Sequence, residues 1–109
     1  MRVILLPEVL NYLEELVEVL YEKGYFSFEN SSLSYVVELY DEIIANLPSK
    51  LHKNAPKYFD KYGKDMKYAG FRKNKQTMWY VFFKTYKQNG ENVYMVRYIS
   101  NNHVIAQYL

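Results

Sequence analysis

The sequence predicts an α+β fold: a short strand, a helix hairpin, then an antiparallel sheet. Three observations carry it. Apolar residues recur every three or four positions between residues 9 and 47, the period of helices with one buried face. From residue 66 onward the chain turns to Tyr-, Phe-, Val- and Thr-rich runs separated by turn-like clusters, the signature of strands. The 109 residues suit one domain with one core, so residues 1–109 are read as a single domain.

Residues 2–6, Arg-Val-Ile-Leu-Leu, form too short an apolar run for a core helix and stop at Pro7, so they read as a strand. Pro7 suits the first position of a helix, where no backbone N–H is needed. Glu8 then lies near the positive end of the helix dipole. Val9, Leu10, Leu13, Leu16, Val17, Leu20 and Tyr21 make one stripe, and Lys23 with Gly24 supplies a C-terminal stop. Ser27 is the expected N-cap of the second helix, with Glu29 in its first turn. Leu33, Val36, Val37, Tyr40, Ile43, Ile44 and Leu47 continue a helical stripe until Pro48. A short link between two amphipathic helices predicts an antiparallel hairpin.

Residues 49–65 form a basic connector, in which Pro56 can open a helical turn that Gly63 closes. Strands are expected over 66–73, 77–87 and 92–99, joined by Asn74-Lys75-Gln76 and Gln88-Asn89-Gly90-Glu91. Alternation puts Trp79, Val81 and Phe83 on one face of the middle strand and Met78, Tyr80 and Phe82 on the other. Both faces are apolar, so this strand is central. The same alternation places Arg97 with Val93, Met95 and Ile99. The tail from Asn101 reads as a turn followed by a last short strand or extended end. The resulting order is β-α-α-β-β-β, with room for a further strand, in two layers.

Charge divides the chain. Residues 1–46 carry two Lys or Arg against nine acids, and residues 47–109 carry twelve against three. Such asymmetry points to a polyanion partner for the basic half, although acidic helix faces and Lys-rich strands also serve solubility. Thirteen tyrosines supply rings with an apolar body and a polar tip, suited to a surface that is part core and part recognition. No cysteine is present, which excludes disulfides, thiolate metal sites and thiol catalysis. Two histidines far apart make no metal motif, four glycines make no phosphate-cradling loop, and no Gly-x-Ser-x-Gly elbow occurs. The expectation is therefore no cofactor and no metal. Met1–Leu6 lacks the basic flank and length of a signal peptide, and no apolar run is long enough to span a bilayer. A cytoplasmic protein with no membrane partner is expected.

The strand Thr77-Met78-Trp79-Tyr80-Val81-Phe82-Phe83, the strand Val93-Tyr94-Met95-Val96-Arg97-Tyr98-Ile99 and the ending Asn101-Asn102-His103 … Tyr108, set behind a short strand and helix hairpin, resemble the RelE/ParE superfamily. These are toxins of type II toxin–antitoxin systems, and the likeness covers nearly the whole chain. It implies a RelE-like β-α-α-β-β-β(-β) sheet with a concave basic face. RelE-like members bind the ribosomal A site and cut mRNA there; ParE-like members inhibit DNA gyrase without being enzymes. Both kinds are restrained by an antitoxin. The resemblance therefore implies a cognate antitoxin, and either ribosome and mRNA or DNA gyrase, as partners. A non-toxic module that binds nucleic acid or protein through the same sheet is a third reading.

Carried over residue by residue, the likeness puts Arg72 with Lys73 where RNA-cleaving members have basic residues. It also fits His103 and Tyr108 to the C-terminal pattern. The strand arginine of the family is replaced at Met78-Trp79, and the arginine near the turn by Asn102.

Metal-free RNA cleavage needs a group to activate the 2′-OH, a group to protonate the leaving 5′-oxygen, and positive charge on the developing phosphorane. A side chain titrating near the working pH contributes about 10²–10⁴ in rate. Histidine is the residue type suited to this work, and the chain has two, His52 and His103. The catalytic candidates are His103, Tyr108, Arg72 and Arg97, the arginines acting electrostatically. Candidate RNA contacts are Lys57, Lys61, Lys64, Lys67, Lys73, Lys75 and Asn102. Tyr68, Phe71 or Tyr98 can stack an unpaired base, worth roughly 1–3 kcal/mol each. Each has a plainer reading: His103 as a surface hydrogen-bonder, Tyr108 as an anchor of the C-terminus, Arg97 as structural, and the lysines as a solvated face.

Overall fold

A computed structural model describes all residues, Met1 to Leu109. The chain is α+β, with a five-stranded, mostly antiparallel sheet in the order β1-β5-β4-β3-β2. Strand β1 (Arg2–Leu5) lies parallel to β5 at one edge. Helix α1 (Pro7–Glu22) follows with Pro7 at its first position, and the Leu6 carbonyl accepts from the N–H groups of Val9 and Leu10. It stops at Lys23, and Gly24 takes a φ of +80, the left-handed conformation glycine adopts without steric cost.

Helix α2 (Glu29–Asn46) packs beside α1. Ser27 is not its N-cap. The boundary residue is Phe28, whose carbonyl accepts from Ser31 and Ser32, and no side chain caps the helix. Ser32 instead is wholly buried, and its hydroxyl donates to the Val17 carbonyl, tying the two helices together. The α2 stripe also divides in two. Val36, Leu39 and Ile43 enter the core, while Leu33, Val37, Tyr40 and Ile44 lie on an exposed flank.

A 3-10 turn (Leu47–Ser49) leads to β2 (Lys53–Asn54), a two-residue edge strand on β3. The fifth strand is therefore inside the connector and not at the C-terminal end. A second 3-10 turn (Lys57–Tyr62) runs from Pro56 to Gly63. Strands β3 (Lys67–Asn74), β4 (Thr77–Gln88) and β5 (Glu91–Asn101) form the antiparallel body. Asn89 (φ 53) and Gly90 (φ 77) are both left-handed, as a tight two-residue hairpin loop requires. The tail is helical: α3 (Asn102–Ile105) and a 3-10 turn (Ala106–Tyr108), capped by Asn101 Oδ1 accepting from the His103 N–H.

Strand β4 divides two cores. Trp79, Val81 and Phe83 point at the helices and belong to a sixteen-residue cluster that includes Leu39, Ile43 and Leu47, all fully buried. Trp79 Nε1 donates to the Tyr35 hydroxyl at 2.9 Å, satisfying the one polar atom that ring brings inside. On the other side Phe82 joins Phe59, Met66 and Ile105 in a cluster of four, edged by tyrosines. The connector and the C-terminal turn thus roof the sheet face away from the helices. Opposite that roof, β5 carries a bulge: Phe82 faces Tyr98 and Phe83 faces Val96, which leaves Arg97 without a partner on β4. The bulge breaks the expected alternation, so Val96 and Ile99 both reach the helix-side core while Arg97 does not share their face.

Candidate nucleic-acid face

Of the twelve cations after Leu47, Lys73 alone is ion-paired to a carboxylate. Alternation along β3 explains this. Ala69, Phe71 and Lys73 face the helices, and Tyr68, Gly70 and Arg72 face away. Lys73 Nζ sits 3.6 Å from Glu38 and 3.4 Å from Glu42 of α2, and 5.1 Å from the centre of the Tyr35 ring. Its side chain is only 10% exposed. Phe71 is a core residue, 1% exposed. These two are withdrawn as RNA contacts, because one is neutralised on the helix side and the other has no accessible ring face to stack a base.

The remaining candidates form two groups. The first surrounds the turn between β3 and β4. Arg72 Nη1 donates to the carbonyls of Asn74 and Lys75, at 3.2 Å each. His103 Nε2 lies 3.3 Å from Thr77 Oγ1 on the same turn, and the ring is exposed. Asn102 holds α3 there: its Oδ1 accepts from the Met78 N–H at 2.9 Å, and its Nδ2 donates to the Gln76 carbonyl at 3.0 Å. Asn102 is thus a positioning residue with both ends of its amide occupied. Arg72, Lys75 and His103 end up on one corner, two cations beside an exposed imidazole.

The second group is a tyrosine ladder on the connector. The Tyr58 and Tyr108 rings stack at 3.7 Å, nearly parallel, and Tyr62 and Tyr98 stack at 3.8 Å. Lys61 Nζ sits 4.0 Å from the Tyr58 ring centre and 5.5 Å from that of Tyr62, within cation–π range. Phe59 of the same turn points inward, fully buried, so the turn is anchored while Lys57, Tyr58 and Lys61 stay exposed. Hydrogen bonding to Lys61, and then to Tyr108, holds the Tyr58 phenol below its ordinary value. The bond to Tyr58 pushes Tyr108 the other way. Burial raises Tyr62 to about 12, so it remains a neutral donor.

Arg97 stands with the second group, four residues before Asn101 on β5 and so roughly 13 Å along the strand from the His103 corner. Its Nη2 donates to the Tyr86 hydroxyl at 3.0 Å. Gly63 makes room for it, since a Cβ there would lie 2.8 Å from Arg97 Cδ. The four catalytic candidates are therefore not one cluster: His103 and Arg72 share the corner, Tyr108 and Arg97 do not. Lys67 Nζ donates to Asn54 Oδ1 at 3.0 Å, and Lys64 lies exposed just after Gly63. Tyr68 is half-buried with its ring stacked on Phe82, centroids 5.2 Å apart.

His52 is structural. Its Nε2 is 2.8 Å from the Leu47 carbonyl, and its ring packs edge-on against Phe83 at 4.8 Å. Tyr58 was not singled out by the sequence. Its signal was there in the helical spacing of Tyr58, Lys61 and Tyr62, which brings a cation over two rings once the segment is helical. No family model matches the chain, nor does any curated protein or solved structure. No helix is long and apolar enough to cross a membrane.

Proposed function

We propose that the protein is a toxin of the RelE/ParE kind acting as a ribosome-dependent mRNA endonuclease in the cytoplasm. The observation that carries this reading is the convergence of Arg72, Lys75 and His103 on the turn between β3 and β4. The strand order, with a helix hairpin on one side of a sheet and unpaired cations on the other, supports it.

In this mechanism the 2′-oxygen bonds to the neighbouring phosphorus as the bond from phosphorus to the 5′-oxygen breaks. His103 exchanges the proton at one of these two oxygens and solvent water exchanges the other, so that the 2′-OH proton lost is balanced by the one gained at the 5′-oxygen; Arg72 with Lys75 stabilises the phosphorane charge. The products are a 2′,3′-cyclic phosphate and a free 5′-hydroxyl. The exposed lysines of the connector hold flanking phosphates, and the exposed Tyr108 ring offers a surface on which an unpaired base can stack. A cognate antitoxin with an acidic or amphipathic segment covers this face, by charge and groove burial together.

Induced expression is expected to arrest growth and leave cleaved transcripts, and His103→Ala to cut the cleavage rate by about 10²–10⁴. Full toxicity of His103→Ala would remove His103 from the mechanism. A second reading, a non-enzymatic gyrase inhibitor, is favoured by two features. The position where the family has a strand arginine holds the buried Trp79, and Arg97 stands away from the corner. Inhibition of supercoiling by the purified protein, with RNA left intact, selects that reading. Recovery of a neighbouring gene product in a pull-down, and rescue of growth on co-expression, tests for the antitoxin.

A further inference from the structure

A cavity of about 610 Å³ lies away from the corner and takes Lys61, Tyr62 and Tyr98 of the tyrosine ladder into its lining. It opens between the start of α1, the bulged part of β5, the second 3-10 turn and α3. Its size suits an organic molecule, since ligand pockets commonly span roughly 300–1,000 Å³. Leu6, Val9, Ile99 and Val104 give it apolar walls, and the rings of Tyr12 and Tyr98 continue them. Two cations line it, Lys61 and Arg97, and neither is paired with a carboxylate. Arg97 is held in place by Tyr86, to whose hydroxyl its Nη2 donates at 3.0 Å. Glu8 stands at the α1 side of the pocket and disfavours a second negative charge on whatever enters.

We propose that this pocket binds a small amphipathic monoanion, its apolar body between α1 and β5 and its head on Arg97 and Lys61. The walls argue against a nucleotide as the occupant. They offer mostly hydrocarbon and ring carbon where a base edge needs donors and acceptors, and Glu8 opposes a phosphate dianion. The proposal rests on the cavity and on Arg97, and it stands whether or not the protein cuts RNA.

Calorimetric titration of the 109-residue protein with decanoate, decanol and decylamine, the two ions below their micellar concentrations and decanol below its solubility limit, tests it. Decanoate is expected to bind saturably at one site. Decanol and decylamine are each expected to bind roughly tenfold more weakly or worse, the loss expected for one missing charge-assisted hydrogen bond. Val104→Trp fills the mouth from an exposed position and should abolish decanoate binding. Lys61→Gln, also on the surface, should weaken it roughly tenfold. Unchanged thermal melting of both variants shows that they fold. Absence of saturable binding, equal binding of decanol, indifference to Val104→Trp, or displacement of decanoate by low concentrations of uridine monophosphate would each overturn the proposal. Loss of RNA cleavage in His103→Ala with decanoate binding intact separates this site from the nuclease reading.

Discussion

The two faces of β4 differ in what they pack against and in what they leave free. Toward the helices, Trp79, Val81 and Phe83 enter a large core built from aliphatic side chains of both helices. Away from them, Phe82 has a small cluster of four buried residues, and most of its surroundings are tyrosines with polar tips. Burying one large apolar side chain contributes about 1.5–3 kcal/mol, so the helix side carries most of the stability. The difference teaches that one side of the sheet holds the fold. The other, roofed by only two short turns, is free to carry cations, phenols and an imidazole.

The comparison breaks if the two sides contribute alike. Trp79→Ala is expected to cost about 3–5 kcal/mol, from lost burial, cavity formation and the orphaned Tyr35 hydroxyl. Phe59→Ala should fall at the lower end of that range, about 3 kcal/mol, because a small cluster near the surface collapses more easily. Denaturant unfolding ranks the two, and a costlier Phe59→Ala would place the main core on the wrong side.

Next in size is an alkaline effect. Burial, with the Tyr98 charge second, raises the Tyr12 phenol to about 12 from its ordinary 10.0. The folded state therefore holds this proton more tightly than the unfolded chain. The stabilisation is complete below pH 10 and is lost as pH rises from about 10 to about 12. Tyr12→Phe should flatten that part of the stability profile, and an unchanged slope would refute the assignment. The smallest effect sharpens the picture at one residue. Lys73→Ala removes partners of Glu38 and Glu42, whose side chains are 71% and 40% exposed, so it should cost no more than about 1 kcal/mol. It should also leave any RNA binding unchanged. Loss of RNA affinity in Lys73→Ala would mean that the helix side contributes to the nucleic-acid surface.

Much of the fold is legible in the chain because the signals are local. Pro7, Gly24 and Pro48 mark helix ends, Asn89-Gly90 marks a hairpin, and strict alternation assigns the faces of β4. What escapes depends on tertiary context. A two-residue strand at Lys53–Asn54 has no period to read. The β-branched Val104-Ile105 looks like strand, yet Asn101 capping and burial of Ile105 make it a helical turn. The bulge at Arg97 changes the side-chain parity of β5, which alternation alone takes as unbroken. The direction of Lys73 follows from the parity of β3, but its neutralisation needs the position of α2. Of the candidate site, His103 and Arg72 are singled out by residue chemistry together with the family resemblance. Their meeting at one turn, and the pairing of Tyr58 with Tyr108, arise from contacts between segments distant in the chain.

Equilibrium binding of a single-stranded RNA over a range of salt concentrations tests the central claim most directly. Gripping phosphates releases counterions, so log affinity should fall linearly with log salt, with a slope near −0.7 for each phosphate held on a single strand. Lys61→Gln, Arg72→Gln and Lys75→Gln should each flatten that slope by about 1 or less, whereas Lys73→Gln should not. Salt-independent binding, or a slope that responds to Lys73 and ignores the other three, would contradict the assignment of this face to nucleic acid.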